Sequence, residues 1–300
     1  MHMFLEILLL FLTAIYSFLE ALVKLFIPVK KKSVRGEVVL VTGAGHGLGR
    51  LTAIEFAKLG ATLILWDINK NAIEETANEC RSLGATVHVH QVDCSKREDI
   101  YSTAEKVKNE IGDIGILVNN AGVVVCSKLL SLPDQDIKRM FDVNTLAHFW
   151  TIKAFLPAMV KNNHGHLVTV ASICGHLSLP QLVTYCSSKF AVVGLHISLT
   201  EELTTPGKNG VKTTCLCPVF VDTGFTENPS SRIWPVLKPE YVVKELMNGI
   251  LTNKKMIFAP SWVRFHVLLD RILPERLLAA VNKLQDPKCN PALPEGNKDK

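Results

Sequence analysis

Charge is scarce in this chain: Asp, Glu, Lys and Arg make up 20% of 300 residues, and the formal net charge is only +5. Apart from Lys30, Lys31, Lys32 and Arg35, the basic residues are interleaved with acids, so nothing resembles a stripe that would follow a nucleic-acid backbone. Cysteine lacks pattern. Eight are present with no CxxC, and only Cys215 and Cys217 stand close together. The pairs His88/His90 and His164/His166 have no Cys partners, which argues against a metal site and leaves them as strand residues. The one Asn-x-Ser/Thr string, Asn228-Pro229-Ser230, is blocked by its proline. Reduced thiols and the lack of a usable glycosylation site point to a domain facing the cytosol.

A long uncharged apolar run is missing as well. Residues 4–27, FLEILLLFLTAIYSFLEALVKLFI, are the most apolar stretch, but Glu6, Glu20 and Lys24 confine the uncharged part to Ile7–Leu19. As a helix that part covers about 20 Å, short of the roughly 30 Å hydrocarbon core of a bilayer. No basic residue precedes the run and no Ala-x-Ala follows it, which disfavours a cleaved signal. A helix spanning a thin membrane and a helix lying in one leaflet both remain open, and the length deficit favours the second. Pro28 is expected to end the helix, with Lys30–Lys32 at an anionic surface.

From residue 37 the pattern changes. Short apolar runs at 37–43, 61–67, 86–92, 114–120, 166–172, 211–217 and 255–260 read as strands, separated by helical stretches. Among these, one long helix is expected from Asp134, as N-cap, to about residue 162. Seven strands alternating with helices predict an α/β fold with one doubly wound, parallel, seven-stranded sheet of Rossmann type, with an N-terminal membrane-anchoring helix before it. The organisation expected is an anchor over 1–28, a basic linker over 29–36 and the Rossmann-type domain over 37–260. Amphipathic helices over 261–285 and a disordered tail over 286–300 follow. Ligands on such sheets bind beyond the carboxyl ends of the strands.

The motifs stand at those ends. TGAGHGLG (42–49) closes the first strand and opens a helix, so Gly43, Gly47, Leu48 and Gly49 are candidates to cradle a pyrophosphate at a helix N-terminus. Asp67 ends the second strand, where a carboxylate accepts hydrogen bonds from the adenosine ribose hydroxyls and repels a 2′-phosphate; NAD is favoured over NADP. Capping of the next helix is the competing role for Asp67. At Asp93, capping competes evenly with an adenine contact. In YCSSK (185–189), Tyr185 and Lys189 are four apart, on one face of a helix, and the ammonium is expected to lower the phenol's pKa.

With NNAG (119–122), this set resembles the short-chain dehydrogenase/reductase family, over residues 37 to about 223. The anchor, WDIN, HGHLVTVAS and CLCPVFV are similar to the 17-beta-hydroxysteroid dehydrogenases of that family. The resemblance implies that Asn144, Ser172, Tyr185 and Lys189 are catalytic, and that Asn120, Lys189 and Thr223 join the loop in holding NAD. It implies that Tyr185 takes the alcohol proton, Ser172 hydrogen-bonds the substrate oxygen, and Asn144 holds a proton-relaying water. It also implies lipophilic alcohol substrates, a homodimer, and association with endoplasmic reticulum and lipid droplets. Hydrophobic secondary alcohols are the leading substrates; a primary alcohol such as retinol, and a lipid-surface scaffold with incidental turnover, are the alternatives. Where the family often has Pro-Gly, this chain has Pro218-Val219, so the backbone there must avoid positive φ. Residues 224–238 read either as a mobile lid whose Phe225, Ile233, Trp234 and Val236 wall a pocket, or as a loop packed on the core.

Overall fold

The structure, a computed structural model, describes residues 2–26, 29–204, 209–286 and 288–290. It divides into two units, Met1–Lys32 and Ser33–Lys300. In the first, helix α1 (His2–Phe26) runs unbroken for 25 residues through Glu6 and Glu20. At 1.5 Å per residue that is about 37 Å, so the length deficit inferred from the uncharged run does not apply to the helix. Its window Met3–Glu20 has a mean hydropathy of 1.9 and is 0% buried. Pro28, expected to end the helix, lies outside the described residues.

The second unit is built on a parallel seven-stranded sheet. In chain order its elements begin β1 (Val38–Thr42), α2 (Gly47–Lys58), β2 (Thr62–Asp67), α3 (Lys70–Ser82), β3 (Val87–Gln91), α4 (Arg97–Glu110) and β4 (Ile116–Asn119). They continue with α5 (Asp134–Phe141), α6 (Ala147–Lys161), β5 (Gly165–Val170), α7 (Val183–Glu202) and β6 (Val211–Pro218). Then come β7 (Glu227–Ser230), α8 (Pro239–Leu251), β8 (Met256–Ala259), α9 (Val263–Ile272), α10 (Glu275–Gln285) and β9 (Lys288–Asn290). The sheet order is β3-β2-β1-β4-β5-β6-β8, which reverses direction between β1 and β4. That reversal opens a crevice at the carboxyl ends, under the glycine loop.

Alternation along the strands splits the core into two layers. Val39, Val41, Leu63 and Leu65 face one cluster, whereas Leu40, Ile64 and Trp66 face the other. Both layers are buried because helices cover both faces, which is why these strands read as continuous apolar runs. His166 is such a strand residue, fully buried with Nε2 2.8 Å from Thr214 Oγ1.

Four expectations change. Asp134 is the first helical residue after Pro133 rather than the N-cap, so its carboxylate serves the helix dipole and not a capping bond. The long helix is interrupted by a π turn over Asp142–Leu146, which separates α5 from α6. The region from Asp286 is not wholly without structure: Lys288–Asn290 pairs antiparallel with Glu227–Ser230. Finally, six buried cysteines among the described residues are free thiols, but Cys126 is disulfide-bonded, so redox state no longer supports the cytosolic side by itself.

Candidate active site

The cleft above the sheet has a volume of about 460 Å³. Its polar floor begins at the glycine loop. Gly43 has φ +65°, and a Cβ there would come within 2.9 Å of Ala121 Cα, so the turn needs glycine. Asn120 locks the loop from the next strand, donating through Nδ2 to the carbonyls of Thr42 and Gly43 at 3.0 Å each. Thr42 Oγ1 in turn accepts the amides of Asn120 and Ala121, both at 3.0 Å. Gly43, Gly47, Leu48, Asn120 and Thr223 all line the cleft. Gly49 does not. A Cβ on it would lie 2.0 Å from Gly43 O, so this glycine seats α2 against the loop rather than touching a ligand.

Asp67 also lines the cleft. Its Oδ2 accepts Gly45 N–H and its Oδ1 accepts Asn69 N–H, each at 2.9 Å. The cap of α3 is Asn69, whose side chain accepts Ala72 N–H. Each Asp67 oxygen keeps a lone pair for a ribose hydroxyl, with the carboxylate fixed at the strand end. Asp93 is different. Its Oδ1 accepts both the amide and the hydroxyl of Ser95, at 2.9 and 2.6 Å, and it is absent from the cleft wall. Burial pushes its carboxyl up, but the Ser95 hydrogen bonds and Lys96 outweigh that and leave it below the usual value. Of its two readings, the turn-capping one fits.

The four residues expected to do chemistry converge. Ser172 (end of β5) and Tyr185 and Lys189 (α7) line the cleft. Lys189 Nζ donates to Val170 O at 3.0 Å and lies 5.7 Å from the centroid of the Tyr185 ring. Asn144 lies behind them, fully buried at the π turn. Its Oδ1 accepts Val123 N–H at 2.8 Å, and its Nδ2 donates to Val123 O at 2.9 Å and Ser188 Oγ at 3.1 Å. The side chain therefore ties the NNAG strand end to α7. Such π turns inside helices recur at functional sites, because one extra residue re-aims the side chains.

The electrostatics depart from expectation. Tyr185's phenol is pushed up, first by burial and then by the Cys174 sulfur, while the Ser172 hydrogen bond pulls the other way. The sequence spacing predicts a lowered value. The difference arises because burial outweighs the Lys189 ammonium, which lies over the ring and donates to a backbone carbonyl instead of the phenol. Lys189 itself is brought down to about 8 by burial, against a raising influence from Cys215, Cys174 and Cys217.

The other walls are apolar: Val124, Leu179, Leu182, Val219, Phe220 and Phe225 among them. Val219 stays out of the left-handed region and donates its amide to Ala259 O, extending the β6–β8 ladder. Phe225's ring lies 6.2 Å from that of Tyr185, and Trp234 is buried in the wall. Ile233 and Val236 are exposed and are not part of it. Sequence reasoning missed Cys174, a cleft residue without a motif, and His148. One helical turn beyond Asn144, His148 is buried with neither ring nitrogen bonded among the described residues, and burial lowers its pKa to about 3.

Comparison with known proteins agrees with this geometry. A family model described as short chain dehydrogenase matches residues 37–233. Human 17-beta-hydroxysteroid dehydrogenase 13 is 59% identical over 286 residues, covering 95% of each chain. Human estradiol 17-beta-dehydrogenase 11 is 62% identical over 283 residues, covering 94% of each. Among solved structures, a short chain dehydrogenase/reductase from Burkholderia phymatum in complex with NAD superposes with a TM-score of 0.73 at 26% identity, covering 87% of this chain and 100% of that one. An alcohol dehydrogenase from Thermococcus sibiricus, complexed with 5-hydroxy-NADP, gives a TM-score of 0.66 at 26% identity over 75% of this chain and 96% of that one. With relatives of that identity along nearly its whole length, the chain belongs to the short-chain dehydrogenase family and is an oxidoreductase.

Proposed function

We propose that the protein is an NAD-dependent dehydrogenase that oxidises hydrophobic secondary alcohols, hydroxysteroids or other lipid alcohols, to ketones at a lipid surface. The observation that carries this is a Ser172–Tyr185–Lys189 set opening into a cleft whose remaining walls are largely apolar. The names of the relatives, hydroxysteroid and estradiol dehydrogenases, support the substrate class. The residues present fit NAD: a glycine turn whose Cβ positions are blocked, a fixed strand-end carboxylate at Asp67, and Thr223 beside Gly47. NAD supplies the hydride acceptor and, when oxidised, a positive charge in its ring.

The protein's own part is proton handling and orientation. Ser172 donates to the alcohol oxygen, where negative charge develops. Tyr185 takes the hydroxyl proton as the phenolate, a form that burial disfavours and that the positive ring of bound oxidised NAD would favour. Lys189, brought down to about 8, would accept the proton the phenol gives up and would hold the cofactor ribose. Asn144 positions α7 through Ser188. A buried lysine costs stability, and a lipid-surface scaffold has no use for one, which favours the enzyme reading.

Helix α1, with its exposed apolar side chains, supports a membrane anchor, and we place the enzyme at endoplasmic reticulum membrane and lipid droplets with its catalytic domain toward the cytosol, as a homodimer. The test is cofactor-coupled turnover against hydroxysteroids, retinoids and oxylipins with a lipid surface present. Turnover of secondary lipid alcohols with NAD is expected. Activity confined to retinol would overturn the secondary-alcohol assignment, and no turnover with any alcohol would favour the scaffold.

A further inference from the structure

Trp234 is a cleft-wall side chain held from outside the cleft. Its indole Nε1–H donates to His266 Nδ1 on α9 at 3.3 Å, and the two rings stand 5.6 Å apart. An indole N–H only donates, so Nδ1 must be bare and the imidazole proton must sit on Nε2. Beside the ring lies the amide of Gln285, at the end of α10, its side-chain nitrogen placed 2.7 Å from Nε2 and 3.1 Å from Nδ1. Turned to offer its oxygen, the amide accepts the Nε2 proton, and Trp234, His266 and Gln285 are all satisfied. Burial keeps His266 below its ordinary pKa, with Asp270 opposing, so the neutral ring this chain of bonds needs is the favoured form.

The backbone is held at the same place. Gln285 O accepts Arg232 N–H at 2.9 Å and Ser231 Oγ–H at 3.1 Å. Ser231 Oγ accepts the amides of Ile233 and Trp234, and Arg232 pairs with Asp286 at 3.5 Å. Gln285 is 2% exposed, an unusual place for an amide unless it has work inside. The segment that reads either as a mobile lid or as a loop packed on the core is thus tied, by side chain and main chain, to helices that lie beyond the matched family region ending at residue 233.

We propose that His266 and Gln285 are positioning residues for substrate selection: through Trp234 they fix the apolar end of the cleft, so α9 and α10 decide how large an alcohol it admits. This rests on reading the cleft as the alcohol site. Trp234 packs on Phe220 at 6.5 Å between ring centroids, and both line the cleft with Phe225. Losing the His266 acceptor leaves the indole N–H buried and unpaired, which frees Trp234 to turn out of the wall. Neither His266 nor Gln285 is among the residues lining the cleft, so their loss leaves the proton-transfer groups untouched.

The experiment compares His266→Leu, which removes the acceptor, with His266→Asn, whose Oδ1 stands where Nδ1 did. In the full-length protein, hydrogen exchange over residues 231–237 is measured alongside steady-state kinetics with a sterol-sized and a short secondary alcohol. His266→Leu is expected to speed exchange and to raise KM for the sterol-sized alcohol about fivefold, the factor one hydrogen bond carries, with kcat and the KM for NAD unchanged. His266→Asn is expected to restore both. Unchanged exchange in His266→Leu overturns the latch, and an equal loss for both alcohols, or none, overturns its role in selection. If wild type turns over neither alcohol, the functional reading fails, while the exchange difference between the Leu and Asn variants still decides the latch.

Discussion

At the scale of single residues, the site was legible wherever chemistry demands one side chain at one spacing. Tyr185 and Lys189 four apart, Ser172 thirteen before the tyrosine, and the Gly loop all meet at one cleft. What spacing cannot carry is burial. The lowered phenol pKa it predicts is reversed because desolvation outweighs an ammonium placed over the ring face. Removing the phenol hydroxyl tests the proton-transfer role: Tyr185→Phe should reduce kcat by roughly 10²–10⁴ while NAD binding, followed by cofactor fluorescence or calorimetry, stays near wild type. A kcat close to wild type would remove Tyr185 from the chemistry. We assign cofactor choice to Asp67. Asp67→Ala should weaken NAD and admit NADP, narrowing the ratio of their kcat/KM values; equal ratios already in wild type would contradict the assignment.

Lys189 adds a pH signature at the same scale. Its folded pKa, about 8, lies below its ordinary 10.5, so between those values the unfolded chain binds the extra proton. Stability from this group therefore rises as pH goes from about 8 toward 10.5, and below 8 the cost of the buried charge is fully present. Denaturant unfolding of the cofactor-free protein across that window should show the rise, and Lys189→Met should flatten it. A slope unchanged by the substitution would mean Lys189 is not desolvated as its 3% exposure indicates.

At the scale of elements, the inner strands β1, β2 and β4 were legible because strands covered on both faces are apolar with little interruption, whereas the edge strand β3, VHVHQ, is half-buried and alternates. The π turn at Asp142–Leu146 was not, since one inserted residue leaves the apolar pattern of α5 and α6 nearly intact. Nor were β7 and β9, whose ENPS and KCN carry no alternation and pair only because residues far apart in sequence come together. The glycine loop joins both lessons: its motif was legible, but the division of labour within it was not. Gly49 packs where Gly43 cradles. Gly49→Ala would drive a methyl to 2.0 Å from Gly43 O, so the loop or α2 must shift. Overpacking of this kind costs typically about 1–3 kcal/mol, seen as a lower denaturation midpoint, and NAD affinity should fall with it. An alanine variant with wild-type stability and affinity would show that α2 moves freely on the loop.

At the scale of the whole molecule, the chain joins a dehydrogenase unit to a helix with no buried residue in its apolar window. Every residue of the candidate site follows Lys32, so α1 should be needed for lipid association and not for chemistry. Burying the Leu, Ile and Phe side chains of residues 7–19 contributes about 0.8 kcal/mol per CH₂, far more than charge attraction. Lys30–Lys32 add about 1 kcal/mol each at an anionic leaflet, and only that part is sensitive to salt. Deleting residues 1–28 should therefore release the protein from membranes or droplets with kcat retained on a soluble alcohol, whereas changing the three lysines to Gln should only weaken attachment. The complication is the C-terminal pair. Phe265, Leu268, Ile272 and Leu284 on α9 and α10 are more than half exposed, and Arg264, Arg271 and Lys283 stand among them. Such a face can rest on lipid by itself. Flotation of the deletion variant with lipid droplets separates the two: if it floats as well as the full chain, attachment resides in α9 and α10, and substituting Phe265 and Ile272 with Ser in that background should then release it.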